Sequence, residues 1–289
     1  VDRKATRPSI SALARGCHHL RWGSSLRGNT YNTHKNSPRS GIGFFGSFFA
    51  KKEQERVAMN IVVLHGSPRK GNTYHATKLF MNELSSCGEV NFTEFFMPAD
   101  LPAFCTGCQL CLGGMQHKCP SAQPVSAILQ SLLSADALIF ATPHYGACSM
   151  PAAMKNLFDH LDFLVLPVSP HAEMFTKKAF IITTGTGSAA AIKPIKKVLK
   201  HWGINRVQTL GIRLFTTRWH NMAASKQTKH EHALRKSARK FYHTRIGRPT
   251  LSTVAFYHMS KFVLKKYVGP GNYPYEYWKE KGYFDKRPF

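Results

Sequence analysis

The sequence predicts an α/β protein: a doubly wound, five-stranded parallel sheet with helices on both faces and a basic helical C-terminal extension. Three observations predict it. Short apolar runs recur at "NIVVL" (60–64), "EVNFTEFFM" (89–97), "DALIFATP" (136–143), "KAFIITT" (178–184) and "RVQTLGIRLF" (206–215). Segments with helical spacing of apolar residues lie between them. Turn-rich stretches, "HGSPRKGNT" (65–73) above all, stand where strands would end. Strands joined through helices run parallel, and such a sheet is covered on both faces.

The helices follow in order. One starts at Asn72 or Thr73, carries Ala76, Leu79, Phe80 and Leu84 on one face, and stops at Gly88. Val125, Ile128, Leu129, Leu132 and Leu133 form the next stripe. Pro151 suits a helix start, and Met154, Leu157, Phe158 and Leu161 give that helix its apolar face. Another follows "GTGS" through Trp202 to Gly203. A long basic helix covers about 222–245, and "STVAFYHMSKFVLKKYV" (252–268) mixes aromatic residues with lysines.

At 289 residues and 43% hydrophobic content the chain can bury a real core. No apolar run approaches the roughly 20 residues of a membrane-spanning helix. The net charge of +25 is uneven. Residues 59–176 carry 5 Lys/Arg against 8 Asp/Glu, while residues 177–289 carry 24 against 4. Such a half either meets an anionic partner or is a solvated helical face. Cysteines gathered in one short run, not spread as a disulfide framework, suit a reducing compartment, so the expected location is the cytoplasm.

Three segments are expected. Residues 1–58 are rich in Arg, Ser, Gly and Asn, without sustained periodicity, and are read as a disordered, non-native leader. The alternative is a basic targeting arm. Residues 59–220 form the sheet domain, and residues 221–289 the basic extension.

In an open parallel sheet, ligands bind beyond the carboxyl ends of the strands. "HGSPRKGNT" brings Ser67, Asn72, Thr73 and backbone N–H groups to a helix N-terminus, where unpaired amides and the helix dipole favour an anion. The loop lacks the Lys of a G-x-x-x-x-G-K-[ST] loop and is not G-x-G-x-x-G, so neither nucleotide fingerprint applies. "PHYGACSMPAAMKNLFD" (143–159) follows the third strand and "TTGTGS" (183–188) the fourth.

These three loops, in this order, resemble the NADPH-dependent FMN reductase family of flavodoxin-like proteins over most of residues 59–220. The resemblance implies that Ser67, Arg69, Asn72 and Thr73 wrap the FMN phosphate. It implies that Pro143, His144, Tyr145 and Gly146 border the isoalloxazine ring, with Thr184, Gly185, Thr186 and Gly187 beside it. Tyr145 offers a stacking face. His144 is either a proton donor or a loop histidine without a catalytic role. Lys155 either sets a positive charge near the reduced flavin or pairs with Asp159. Where the family has Arg after that Asp, this chain has His160.

Cys105, Cys108, Cys111 and Cys119 stand in a C-x-x-C-x-x-C-x7-C-P run between the second strand and the next helix. Within the family this resembles the iron–sulfur flavoproteins, which implies a [4Fe-4S] cluster beside FMN, and four thiolates meet a cubane's requirement. A zinc site, a redox pair (Cys105–Cys108 or Cys108–Cys111) and a loop that simply covers the flavin remain open. Cys148 is read as a small buried residue.

The resemblance implies an FMN-dependent oxidoreductase with NAD(P)H as co-substrate and a quinone, nitro compound or flavin as small-molecule acceptor. The alternative is an iron–sulfur flavoprotein fed by a ferredoxin-like donor. A basic nucleic-acid-binding protein with a zinc loop would account for charge and cysteines, but not for three loops at strand ends. A homodimer is expected, to which the C-terminal part contributes, with weak, salt-sensitive contact to membrane surfaces.

Overall fold

The computed structural model describes residues 58–146 and 149–289. The expectations for the leader segment through residue 57, and for Cys148, lie outside the described residues. Strands β1 (Met59–His65), β2 (Val90–Phe96), β3 (Ala137–Pro143), β4 (Lys178–Thr184) and β5 (Arg206–Ile212) form one sheet. Its order is β2-β1-β3-β4-β5, with every pair parallel. This is the flavodoxin-like order, and it reverses between β1 and β3, where a crevice opens at the carboxyl ends. Register places His65 opposite Ala141, Pro143 opposite Thr184 and Thr184 opposite Ile212, so the loops after four strands emerge together.

The eight helices among the described residues are α1 (Asn72–Cys87), α2 (Ala122–Ser134), α3 (Ala152–His160), α4 (Ala172–Phe175), α5 (Ser188–His201), α6 (Ala224–His243), α7 (Leu251–Val263) and α8 (Tyr273–Glu280). β1, β3 and β4 are apolar on both faces and are buried on both. On one face α2, α3 and α5 bring Ile128, Leu132, Met154, Leu157, Ile195 and Leu199 to the sheet. On the other, α1 brings Ala76, Phe80 and Leu84, and α6 brings Leu234, Ala238 and Phe241. Of the basic region beyond residue 220, α6 therefore lies on the sheet itself. Its many cations face outward, because Leu234, Ala238 and Phe241, with the half-buried Tyr242, are the positions that touch the core.

The later helices build a third, aromatic cluster. Tyr257 and Leu264 join Trp278, Tyr283 and Phe284 against Leu166 and Phe175 of the segment before β4. Strand β5 stops at Ile212, short of the 215 read from the sequence, and the residues after it become a loop. No described helix is long and apolar enough to cross a membrane.

Lys177 and Lys178 stand side by side where β4 begins, and strand alternation sends them to opposite faces. Lys177 Nζ donates to Leu133 O (2.8 Å) and to Ala135 O at the end of α2. Lys178 Nζ donates to Phe241 O (2.8 Å), Tyr242 O (2.8 Å) and Thr244 O (3.2 Å) at the end of α6. Each ammonium thus satisfies carbonyls that a helix C-terminus leaves free, at the negative end of the dipole. Burial lowers the Lys178 pKa to about 8, against a smaller upward pull from Asp136. The folded protein then holds this proton less tightly than the unfolded chain, so the group adds stability as pH rises from about 8 towards 10.5. Lys178→Met is expected to cost about 1–3 kcal/mol at pH 7, since carbonyls lose their donor. Denaturant melts should show the gap to wild type widening between pH 8 and 10. A gap that narrows would mean that the carbonyls prefer the charged amine strongly enough to cancel burial.

Candidate functional site

Four loops at the carboxyl ends of the sheet border a cleft of about 330 Å³. The β1–α1 loop supplies Ser67, Arg69, Asn72 and Thr73. The end of β3 supplies Pro143, His144 and Tyr145, and the end of β4 supplies Thr184 and Gly185. Gly146, Thr186 and Gly187 lie in the same loops without lining the cleft. The sequence reading missed the fourth wall, Leu214, Thr216 and Thr217 after β5.

The anion end is built by α1. Its first turn has no capping side chain and no acid, so its leading amides stay free. Asn72 Nδ2 donates to Thr216 O at 2.9 Å, tying α1 to the β5 loop. Its Oδ1 is buried and has no partner. Thr73 and Thr184 share a buried hydroxyl–hydroxyl bond of 2.6 Å that fixes the β4 end against α1.

The opposite wall is held as firmly. His144 N donates to Thr184 O (2.8 Å), and Gly187 N donates to His144 Nδ1 (3.3 Å). With Nδ1 accepting, the neutral ring carries its proton on Nε2. A Cβ on Gly187 would sit 2.6 Å from the His144 ring, so this loop can lie against the imidazole only as glycine. Tyr145 is 40% exposed, and its hydroxyl accepts from Arg69 Nη2 at 3.0 Å across the cleft mouth. That bond, with a second from Ser67, lowers the Tyr145 pKa. Arg69 thus links the anion loop to the loop with the aromatic face.

Lys155 lies elsewhere. It pairs with Asp159 one turn along α3, and its side chain borders a separate hollow with Met150 and His201. The structure realises the ion-pair reading of this residue, and the cleft is built without it.

All four cysteines of the run line one cavity of about 110 Å³ with Phe104, His160 and Phe163. They share its walls without converging on one point: among the described residues no three His, Cys, Asp or Glu side chains form a metal-holding group. Burial pushes the Cys111 thiol pKa up, and nearby Cys105 and Cys119 add to the shift. The loop is clamped by α3. Asn156 Nδ2 donates to Ala103 O (2.9 Å), Asn156 Oδ1 accepts from Cys105 N (2.9 Å), and His160 Nε2 meets Ala103 O at 3.1 Å. The His160 ring, 5% exposed, thus holds the start of the cysteine loop.

Comparison with known proteins agrees with this geometry. The family model described as NADPH-dependent FMN reductase matches residues 59–219. An iron-sulfur flavoprotein of Methanocaldococcus jannaschii is 35% identical over 105 residues, which is 35% of this chain and 51% of that protein. One of Archaeoglobus fulgidus is 27% identical over 101 residues, 35% of this chain and 48% of its own. The chain thus spans about half the length of the curated relatives it matches. Among solved structures, an NAD(P)H:quinone oxidoreductase from Methanothermobacter marburgensis superposes with a TM-score of 0.52. It covers 65% of this chain and all of its own at 14% identity, a likeness of fold. On the matched sheet domain and its loops, the chain belongs to the NADPH-dependent FMN reductase family.

Proposed function

We propose that the chain is an FMN-binding oxidoreductase that takes reducing equivalents from NAD(P)H and delivers them to a small acceptor such as a quinone, nitro compound or flavin. The observation that carries this reading is the cleft, with an uncapped helix N-terminus at one end and a Tyr145–His144 wall at the other. The residues fit FMN. The free amides of α1, Ser67, Arg69 and the unpartnered Asn72 Oδ1 form a polar cradle for a phosphate and the ribityl hydroxyls beside it. Pro143, Tyr145 and Leu214 supply apolar surface for a flat ring. When bound, FMN supplies hydride acceptance from nicotinamide and onward delivery to the acceptor. The chain's part is to hold and orient. The Thr184–Gly187 loop lies beside the ring slot, with His144 keeping a proton on Nε2 at its edge, and Arg69 ties both ends of the cleft together.

A second reading, an iron–sulfur flavoprotein in electron transfer, is favoured by one observation: four cysteines face one cavity beside the sheet's carboxyl edge. The same experiment separates the two readings. Protein purified anaerobically is expected to show flavin absorbance near ~450 nm, since that band belongs to the cofactor in any fold, and to oxidise NADPH once a quinone is added. No flavin band and no FMN uptake would end the first reading. Iron and acid-labile sulfide, both lost in Cys108→Ser while FMN stays, would establish the second; iron-free wild type would leave the loop as a flavin cover.

A further inference from the structure

Helix α7 buries one side and leaves the other bare. Tyr257, Ser260 and Leu264 point into the C-terminal aromatic cluster, and Tyr257 Oη donates to Tyr283 O at 2.7 Å. These contacts fix the rotation of the helix, so its outer stripe cannot turn inward. That stripe carries Leu251 (89% exposed), Met259 (53%) and Phe262 (54%), and Tyr267 (69%) follows in the π-helical turn Leu264–Val268. Residues 251, 255, 259, 262 and 266 fall on one side at helical spacing. Apolar side chains so exposed and so aligned mark a contact surface.

The stretch that carries the stripe is rich in cations, and Asp285 is the acid that reaches Tyr257 on the buried side of α7. Between Glu231 and Glu276 there is no Asp or Glu, and nine Lys/Arg. Lys266 Nζ lies 5.3 Å from the centre of the Phe262 ring and 5.5 Å from that of Tyr267. Lys265 and Lys266 are exposed and make no ion pair among the described residues. A second copy docked here by two-fold symmetry would bring the exposed Lys265 and Lys266 of one copy towards those of the other. A nucleic acid would meet the cations but have little use for Leu251, Met259 and Phe262.

We infer that the outer stripe of α7 and the turn after it dock on an anionic lipid bilayer. Leu251, Met259, Phe262 and Tyr267 enter the headgroup–acyl boundary, where aromatic side chains are at home. Lys266, held over the Phe262 and Tyr267 rings, and Lys265, held over Phe284, meet lipid phosphates at the level of the headgroups. This inference rests on the extension alone and stands whatever the cleft binds.

The test is flotation of the full-length protein with vesicles of phosphatidylcholine alone and with about 30% phosphatidylserine added, the anionic content on which lysines act. Binding is expected to the anionic vesicles, and to be at least tenfold weaker to phosphatidylcholine alone. Lys265→Gln with Lys266→Gln should weaken it about 30-fold, at ~1 kcal/mol per cation. Met259→Ser with Phe262→Ser, both on the surface, should weaken it by about tenfold or more through lost apolar burial. Circular dichroism of each variant confirms its fold. No binding to anionic vesicles would overturn the inference. So would binding that the serine variant leaves intact, which marks a surface for any polyanion. Light scattering that shows a dimer turned monomer by the serine variant would assign the stripe to a second copy instead.

Discussion

Asn72→Asp is expected to expel FMN, lowering its affinity by about 2–4 kcal/mol. The change is isosteric, but it sets a carboxylate at the first position of α1, where the proposed phosphate would sit. Two anions sharing the same amides cannot both be satisfied. For the apoprotein two effects oppose: a carboxylate in the first turn complements the helix dipole, but the substitution removes the donor to Thr216 O and sets an anion against that carbonyl. That turn holds no acid now. Asn72→Ala with Thr73→Val removes donors without adding charge, and should cost a similar ~2–4 kcal/mol of affinity, since each bond to a charged phosphate is worth roughly 1.5–3. It also loses some stability, because Thr73 is bonded to Thr184 in the buried wall. Isothermal titration with FMN, beside thermal melts, reads both. If Asn72→Asp kept FMN at wild-type affinity, the phosphate would not lie at α1 and the cofactor would belong elsewhere.

Much of this site was legible because its chemistry is local. A short strand, a turn rich in Gly, Ser and Asn, and an amphipathic helix leave a pattern that survives without any alignment. Strands β1 to β4 fall within a residue of their expected bounds for that reason. The β5 loop was not legible. Leu214, Thr216 and Thr217 carry no glycine or histidine signature, and the apolar alternation of "RVQTLGIRLF" runs on past the true strand end at Ile212. The position of the loop, at the carboxyl end of a sheet strand, was the one signal that could have found it. His160 shows a different limit: its partner, Ala103 O, is 57 residues away, so no spacing rule could pair them. The basic helix α6 misled in part, because a charge count is silent on which three positions are buried.

The C-terminal aromatic cluster was the least legible, and it carries the largest stability effect. Trp278 is fully buried. It stacks on Tyr257 at 5.5 Å, meets the Tyr283 ring edge-on at 6.1 Å, and donates from Nε1 to Leu166 O at 3.2 Å. Trp278→Ala is expected to cost about 3–5 kcal/mol, the usual loss for a large aromatic in a core. The loss should be local. None of the seven residues buried in this cluster belongs to either face of the sheet, so α7 and α8 can detach while the sheet domain stays folded. Detachment would reach the cysteine loop, because α8 also lies on it. Gly114, at φ +77°, has room for no side chain: a Cβ there would sit 2.4 Å from the Tyr273 ring. Tyr273 Oη takes a long bond from Gln116 at 3.5 Å. Limited proteolysis of Trp278→Ala should therefore cut near residue 250 at concentrations that spare wild type, while FMN remains bound. Its cysteines should also react faster with a thiol reagent. Trp278→Phe, which keeps one stacking ring but loses part of the indole's volume and the bond to Leu166 O, should fall between. If proteolysis left the tail intact and thiol reactivity did not change, the cluster would not be holding the extension down, and the contacts of Tyr273 alone would have to secure the cysteine loop.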